Sequence, residues 1–360
     1  MQHIALLCSR LDLPGGIERA IVNTANLFVE KGHPVSLIVL DETGNSYYPL
    51  HASVKVIQQP LSFGITPDGN IISRKIKLLN DVLKLRKLLK QLKADIVIAT
   101  EYPFAVAAVL SGAKKYAKLF SWEHHHFAWI RKNRFWATLS EMAYKKLDKI
   151  ICLNKTEALH FEKFAATVVI PNFIENKTGR LSSLQNKQVL SVGWLIHRKG
   201  IDLMLKAAKE VLTINPTWTW KLIGEGEMLQ DVLDFIQQEN LQDRFILQPP
   251  AGADLSSEYL QSSLFVLSSR FEAFPMVLLE AMSFGLPCIS FDCPTGPADI
   301  IADKINGLLV EKENPDKLAQ AVSSLIIDEE RIISMGQKAV ENIRQFSPEK
   351  IYELWTSSFK

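Results

Sequence analysis

Short apolar runs alternate with longer amphipathic stretches from one end of the chain to the other. Unbroken apolar runs suit strands buried on both faces of a parallel sheet, and the stretches between them suit crossover helices. In the first half the pattern predicts strands over His3–Cys8, Val35–Leu40, Val54–Ile57, Asp95–Ala99, Lys118–Ser121, Lys149–Leu153 and Val168–Ile170. Helices are predicted over Gly16–Glu30, Ser73–Leu92, Phe104–Ala113, Phe135–Lys146 and Lys155–Phe164. Periodicity lapses in a polar segment with Pro and Gly, which reads as a linker over 173–187. Alternation then restarts with strands over Gln188–Val192, Thr219–Ile223, Arg244–Leu247, Leu264–Leu267, Cys288–Ser290 and Gly307–Val310. Helices are predicted over Ile201–Leu212, Met228–Glu239 and Pro275–Phe284, and again from Pro315 onward. The expectation is an α/β protein of two Rossmann-like domains, 1–172 and 188–345, with a final helix over 346–360 returning to the first.

Composition supports this. A chain of 360 residues is longer than one core usually serves. With 47% hydrophobic and 22% charged residues it is not a disordered chain. The net charge of +2 creates no global field that would call for nucleic acid as a partner. Cys8, Cys152, Cys288 and Cys293 are scattered without metal-ligand spacing and read as reduced core cysteines of a cytoplasmic protein. The N-terminal apolar run is too short for a signal peptide, and no stretch approaches the ~20 apolar residues of a membrane helix.

Basic residues are unevenly placed. Lys75, Lys77, Lys84, Arg86, Lys87, Lys90 and Lys93 decorate one predicted amphipathic helix. Arg131, Lys132 and Arg134 stand beside Trp129, Phe135 and Trp136. Such interleaving suits an anionic membrane surface, here the inner face of the cytoplasmic membrane.

The densest chemistry lies in SRFEAFPMVLLEAMSFGLPCISFDCPTGP. Pro275 suits a first helical position and Gly285 a helix end. A helix N-terminus offers unpaired N–H groups and partial positive charge, the means of holding a diphosphate. Glu280 would lie roughly 8 Å along that helix, where a ribose would sit. Glu272 would lie on the open side of the helix end.

With seven residues between these two glutamates, this segment and the later FDCPTGPADII and INGLLV resemble the family 4 retaining glycosyltransferases of GT-B architecture. The resemblance covers essentially the whole chain and is strongest to enzymes that build bacterial surface glycans. It implies two domains facing across a cleft and a metal-independent hexosyltransferase using a UDP-sugar as co-substrate. Glu280 would bind the ribose, Glu272 the sugar hydroxyls, and the backbone of Phe274, Pro275, Met276 and Val277 the donor. The family usually has glycine where this chain has Ala273.

Four further loops take roles by the same resemblance. In SVGWLIHRKGID, Gly193 and Lys199 match the donor loop, but Trp194 stands where the family has arginine, and Arg198 is expected to supply the missing charge to the leaving diphosphate. LIGEGEM brings Gly224 to the donor, although by itself it is a broken dinucleotide fingerprint. LDLPGGIERA places Gly16 at the donor phosphates and Gly15 and Glu18 at the acceptor. SWEHHHFAW supplies His124 for the donor sugar, with His125 as its rival, and Glu123 for the acceptor. Three consecutive histidines cannot all point one way, so a tetrahedral metal site is not expected, and no Asp-x-Asp pair is present to hold magnesium. The implied acceptor is a glycan on a polyprenyl diphosphate. The competing readings are a GT-B epimerase or phosphorylase, and a catalytically silent binding protein, which Trp194 keeps open.

Overall fold

The computed structural model describes residues 1–40, 44–61, 71–127, 134–250 and 252–360. Two compact units form: Met1–Asn172 together with Pro348–Lys360, and Phe173–Ser347. Trp129, Arg131 and Lys132 lie outside the described residues.

The first unit holds a seven-stranded parallel sheet of β1 (Ile4–Cys8), β2 (Val35–Val39), β3 (Lys55–Gln58), β4 (Ile96–Ala99), β5 (Lys118–Glu123), β6 (Lys149–Cys152) and β7 (Thr167–Val169). Its order is β3-β2-β1-β4-β5-β6-β7, with Ile4 opposite Val35 on one side and Ile96 on the other. β1, β2 and β4 are buried at every residue, because helices cover both faces of the sheet. β3 is the edge and keeps Lys55, Val56 and Gln58 exposed. The helix Gly16–Glu30 buries Ala20, Ile21, Thr24, Ala25, Leu27 and Phe28 along one face. Tyr102–Ser111 is apolar almost throughout and stops at Gly112, whose φ of +78° a side chain would disfavour.

The second unit has six parallel strands: β8 (Gln188–Val192), β9 (Thr219–Ile223), β10 (Phe245–Gln248), β11 (Leu264–Leu267), β12 (Cys288–Phe291) and β13 (Gly307–Val310). Their order is β10-β9-β8-β11-β12-β13. All thirteen predicted strands form among the described residues, with ends shifted by no more than two positions. Two short helices, Ser256–Leu260 and Pro297–Ile300, carry too few turns for periodicity to announce them.

In each sheet the strand order reverses once, between β1 and β4 in the first and between β8 and β11 in the second. Loops at the carboxyl ends of those strands diverge, and ligands of doubly wound sheets bind where they part.

The polar stretch 173–187 belongs to the second unit. Asn176 Nδ2 donates to Ser283 O at 2.9 Å and Ser182 N donates to Phe284 O at 2.9 Å. The chain's last helix, Pro348–Ser358, packs on the first unit instead, where Trp355 meets Phe28 edge-on. All four cysteines are buried and reduced, and burial pushes the Cys293 thiol up to about 12.

Candidate active site

In the second unit the loops after β8 and β11 are bolted together. Arg270 N donates to Arg198 O, Arg270 Nη1 to His197 O, and Ser268 Oγ to Lys199 O. The Arg270 guanidinium also grips both carboxylate oxygens of Asp202 at 2.8 Å, and its hydrogen bonds hold that carboxyl below the usual range. Gly200 closes the turn at φ +65°, with no room for a Cβ, which would fall 1.9 Å from Ser268 O. Sequence reasoning missed Arg270, because a single arginine before the Glu272 loop carries no spacing signal.

The bolted loops deliver Lys199 to Glu272. Lys199 Nζ and Ser269 Oγ both donate to Glu272 Oε1 at 2.6 Å, and Thr295 Oγ1 donates to Glu272 O. Glu272 is buried and forms an ion pair with the Lys199 ammonium. Arg198, by contrast, is exposed, and its side chain meets no partner among the described residues. Trp194 is half-buried.

The helix after Glu272 spans Met276–Ser283, one residue shorter at each end than expected, with Pro275 extended as its cap. No side chain caps it, and among the described residues nothing accepts from the N–H groups of Met276 and Val277. Those unpaired donors form a ready anion site. Gly296, at φ +93°, lets the Thr295 loop close on this start, since a Cβ there would fall 2.8 Å from Pro275 Cδ. Within the helix Glu280 is buried and accepts from Tyr259 OH at 2.8 Å. Tyr259 itself stacks on Phe284 with ring centroids 5.3 Å apart. It sits on the short helix Ser256–Leu260, and so escaped the sequence reading.

The glycines of the β9 loop have a packing role as well. A Cβ on Gly224 would fall 2.1 Å from Gly193 O, and one on Gly226 would fall 2.6 Å from Leu195 O. Both are needed for the β9 loop to interleave with the β8 loop. A Cβ on Gly193 would meet nothing within 4 Å, which leaves open space at the strand-order reversal.

In the first unit Gly15 caps the helix that Gly16 begins, and the Glu18 carboxylate folds back over Gly15. Burial pushes the Glu18 carboxyl up, and the charge of Glu101 adds to this. Glu101 pairs with His125 Nε2 at 3.0 Å. The three histidines diverge: His125 to Glu101, His126 to Glu157 at 3.5 Å, and His124 inward onto the ring of Trp122. His124 is buried, its Nε2 has no hydrogen-bond partner among the described residues, and burial drives it down to about 3. Glu123 is buried, accepting from Ser121 Oγ and lying beside the buried Tyr144. Parity separates it from its neighbours: β5 runs on to Glu123, so 122 and 124 share one face and 123 takes the other.

Two family models divide the chain: "Glycosyltransferase Family 4" matches residues 14–177 and "Glycosyl transferases group 1" matches 173–345. An uncharacterized glycosyltransferase of Haemophilus influenzae is 30% identical over 99% of both chains. This chain belongs to glycosyltransferase family 4. A Campylobacter jejuni alpha-1,4-N-acetyl-D-galactosaminyltransferase, named for a substrate carried on PP-undecaprenol, is 26% identical over 99% of this chain and 97% of its own. Staphylococcus aureus TarM, crystallised with UDP, superimposes with a TM-score of 0.81 over 100% of both chains at 17% identity, which confirms the GT-B fold.

In a glycosyltransferase this arrangement has a chemical sense. Breaking a sugar–diphosphate bond leaves charge on the diphosphate and a deficit on the sugar. The transferase sets open N–H donors, an ammonium and a buried carboxylate within one loop cluster of its second unit. Among the described residues no three His, Cys, Asp or Glu side chains gather as a metal site.

Proposed function

We propose that this transferase moves a hexose or N-acetylhexosamine, with retention and without metal, from a UDP-sugar to a glycan on polyprenyl diphosphate, in surface-polysaccharide assembly. The observation that carries the reading is the Lys199–Glu272 pair, held at 2.6 Å beside the open start of the helix Met276–Ser283. The N–H groups of that start receive the diphosphate, Lys199 and Arg198 neutralise its departing charge, Glu272 meets the sugar hydroxyls, and Glu280 meets the ribose. His124 meets the donor sugar as a neutral imidazole. Glu18 and Glu101 provide acceptors for hydroxyls of the incoming glycan. The name of the Campylobacter relative and the UDP in TarM support the donor and carrier assignments.

No helix among the described residues is long and apolar enough to cross a membrane. The helix Ile71–Leu92 turns Ile76, Leu79 and Leu83 outward beside exposed Lys77, Lys84, Lys87 and Lys90. Phe135 is 62% exposed next to exposed Arg134. This chemistry fits an anionic lipid surface, where the proposed acceptor resides.

The test is a screen of UDP-glucose, UDP-N-acetylglucosamine and UDP-N-acetylgalactosamine against a polyprenyl-diphosphate-linked N-acetylhexosamine in EDTA. Acceptor-dependent release of UDP with a heavier lipid-linked product is the expected result. Turnover that needs added magnesium or manganese would overturn the metal-free mechanism. Binding of UDP-sugars without turnover would favour the silent reading that Trp194 keeps open.

A further inference from the structure

His124 is held in an unusual way. Residues 122 and 124 leave β5 on one face, and the Trp122 ring lies against the imidazole with centroids 4.2 Å apart and a tilt of 52°. Trp122 also meets Trp355, edge-on at 5.2 Å and 88°. Trp355 is fully buried and belongs to the helix Pro348–Ser358, at the opposite end of the chain.

Among the described residues none of the three rings is fixed by a hydrogen bond. His124 Nε2 and the indole Nε1 of both tryptophans are buried without a partner among the described residues. Buried ring nitrogens usually find one, so packing alone sets where these rings lie. The last helix is anchored independently. Tyr352 OH lies 2.9 Å from His33 Nε2, and Lys118 Nζ donates to Phe359 O at 2.6 Å. Trp355 is therefore a fixed wall, Trp122 leans on it, and His124 leans on Trp122.

We propose that Trp355 is a positioning residue, through which the C-terminal helix sets the orientation of the His124 imidazole by way of Trp122. The inference rests on the reading that His124 meets the donor sugar. It also makes the last residues of the chain a condition for a competent first unit. The relay works by contact: an imidazole with no hydrogen bond to hold it turns when its wall is lost, and a small misplacement at a reacting centre is costly in rate. Losing the wall also admits water, which returns His124 toward its ordinary titration. The titratable neighbour it then faces is His125, itself paired with Glu101.

The test compares Trp355→Ala, Trp355→Phe, His124→Ala and the double variant His124→Ala/Trp355→Ala. Turnover is followed as UDP released in the assay above, with UDP affinity by calorimetry as the control. Trp355→Ala is expected to lower kcat by about tenfold or more, with UDP affinity unchanged. Trp355→Phe, which keeps a ring edge, retains kcat within about threefold, and the double variant is no slower than His124→Ala. Should Trp355→Ala fail to fold, Trp355→Leu carries the test. Its kcat is expected to fall as pH drops below about 6.5, where the unaltered enzyme holds steady. Losses that multiply in the double variant, or a Leu variant with unchanged kcat and pH profile, would overturn the relay. A His124→Ala enzyme within about twofold of normal would instead overturn the role given to His124 itself.

Discussion

At the scale of single residues, the second unit's site is built from buried charges with assigned partners. Glu280 depends on Tyr259 OH for its orientation. Glu280→Gln is expected to weaken UDP binding by about 1–3 kcal/mol, and Tyr259→Phe to act in the same direction by less. Calorimetry with UDP checks this, and an unchanged affinity for the Gln variant removes Glu280 from the donor site. His124 offers a second measurement. Burial first, and the charge of His125 second, bring it from 6.5 to about 3 in the folded chain. The unfolded chain therefore takes up the proton first, and stability falls as pH drops from about 6.5 toward 3, by up to about 1.4 kcal/mol per pH unit. Denaturant unfolding at pH 7 and pH 4 should show this loss shrinking in His124→Phe. Equal losses in both proteins would mean that His124 is hydrated.

At the scale of elements, strands were legible because a parallel strand buried on both faces is an unbroken apolar run, as in IALLC and LFVL. Long helices were legible through their one-sided burial. What stayed hidden was short or relational. The one-turn helix carrying Tyr259 has no periodicity, and the two extra residues of β5 decide that His124 and not Glu123 shares the face of Trp122. The glycines of the β9 loop were visible, but the steric need for them lies in the neighbouring β8 loop, which only the fold brings near. The helix carrying Glu280 was legible to within one residue at each end, since Pro275 and Gly285 are local signals. The same loops separate two arginines. Arg198→Ala is expected to lower kcat by ~10²-fold with little change in melting temperature, because it is exposed and unpaired among the described residues. Arg270→Ala is expected to lower stability by about 1–3 kcal/mol, because it ties His197, Asp202 and Glu313 together. Paired melting and rate measurements check both, and a harmless Arg198→Ala would leave the loop merely solvated.

At the scale of the whole molecule, two sheets each reverse strand order once, and the loops carrying Lys199 and Glu272, and Gly15 and Glu101, follow the strands at those reversals. The apolar and basic face of the helix Ile71–Leu92 lies on the first unit alone. Each well-placed Lys or Arg near anionic lipid contributes roughly 1 kcal/mol. Co-sedimentation with phosphatidylglycerol vesicles should rise with anionic content, fall with salt, and drop in Lys77→Glu/Lys84→Glu/Lys87→Glu with UDP affinity intact. Binding that ignores both lipid charge and these changes would place the acceptor elsewhere.

The most direct test of the proposed reaction is the configuration of the bond it makes. With an α-linked UDP-sugar, the lipid-linked acceptor and EDTA present, proton NMR of the product reads the new anomeric centre while released UDP is counted. A metal-free retaining transferase gives an α linkage and one UDP for each bond formed. A β linkage, or UDP released without any new glycosidic bond, would contradict the mechanism assigned to Lys199, Glu272 and the open helix start.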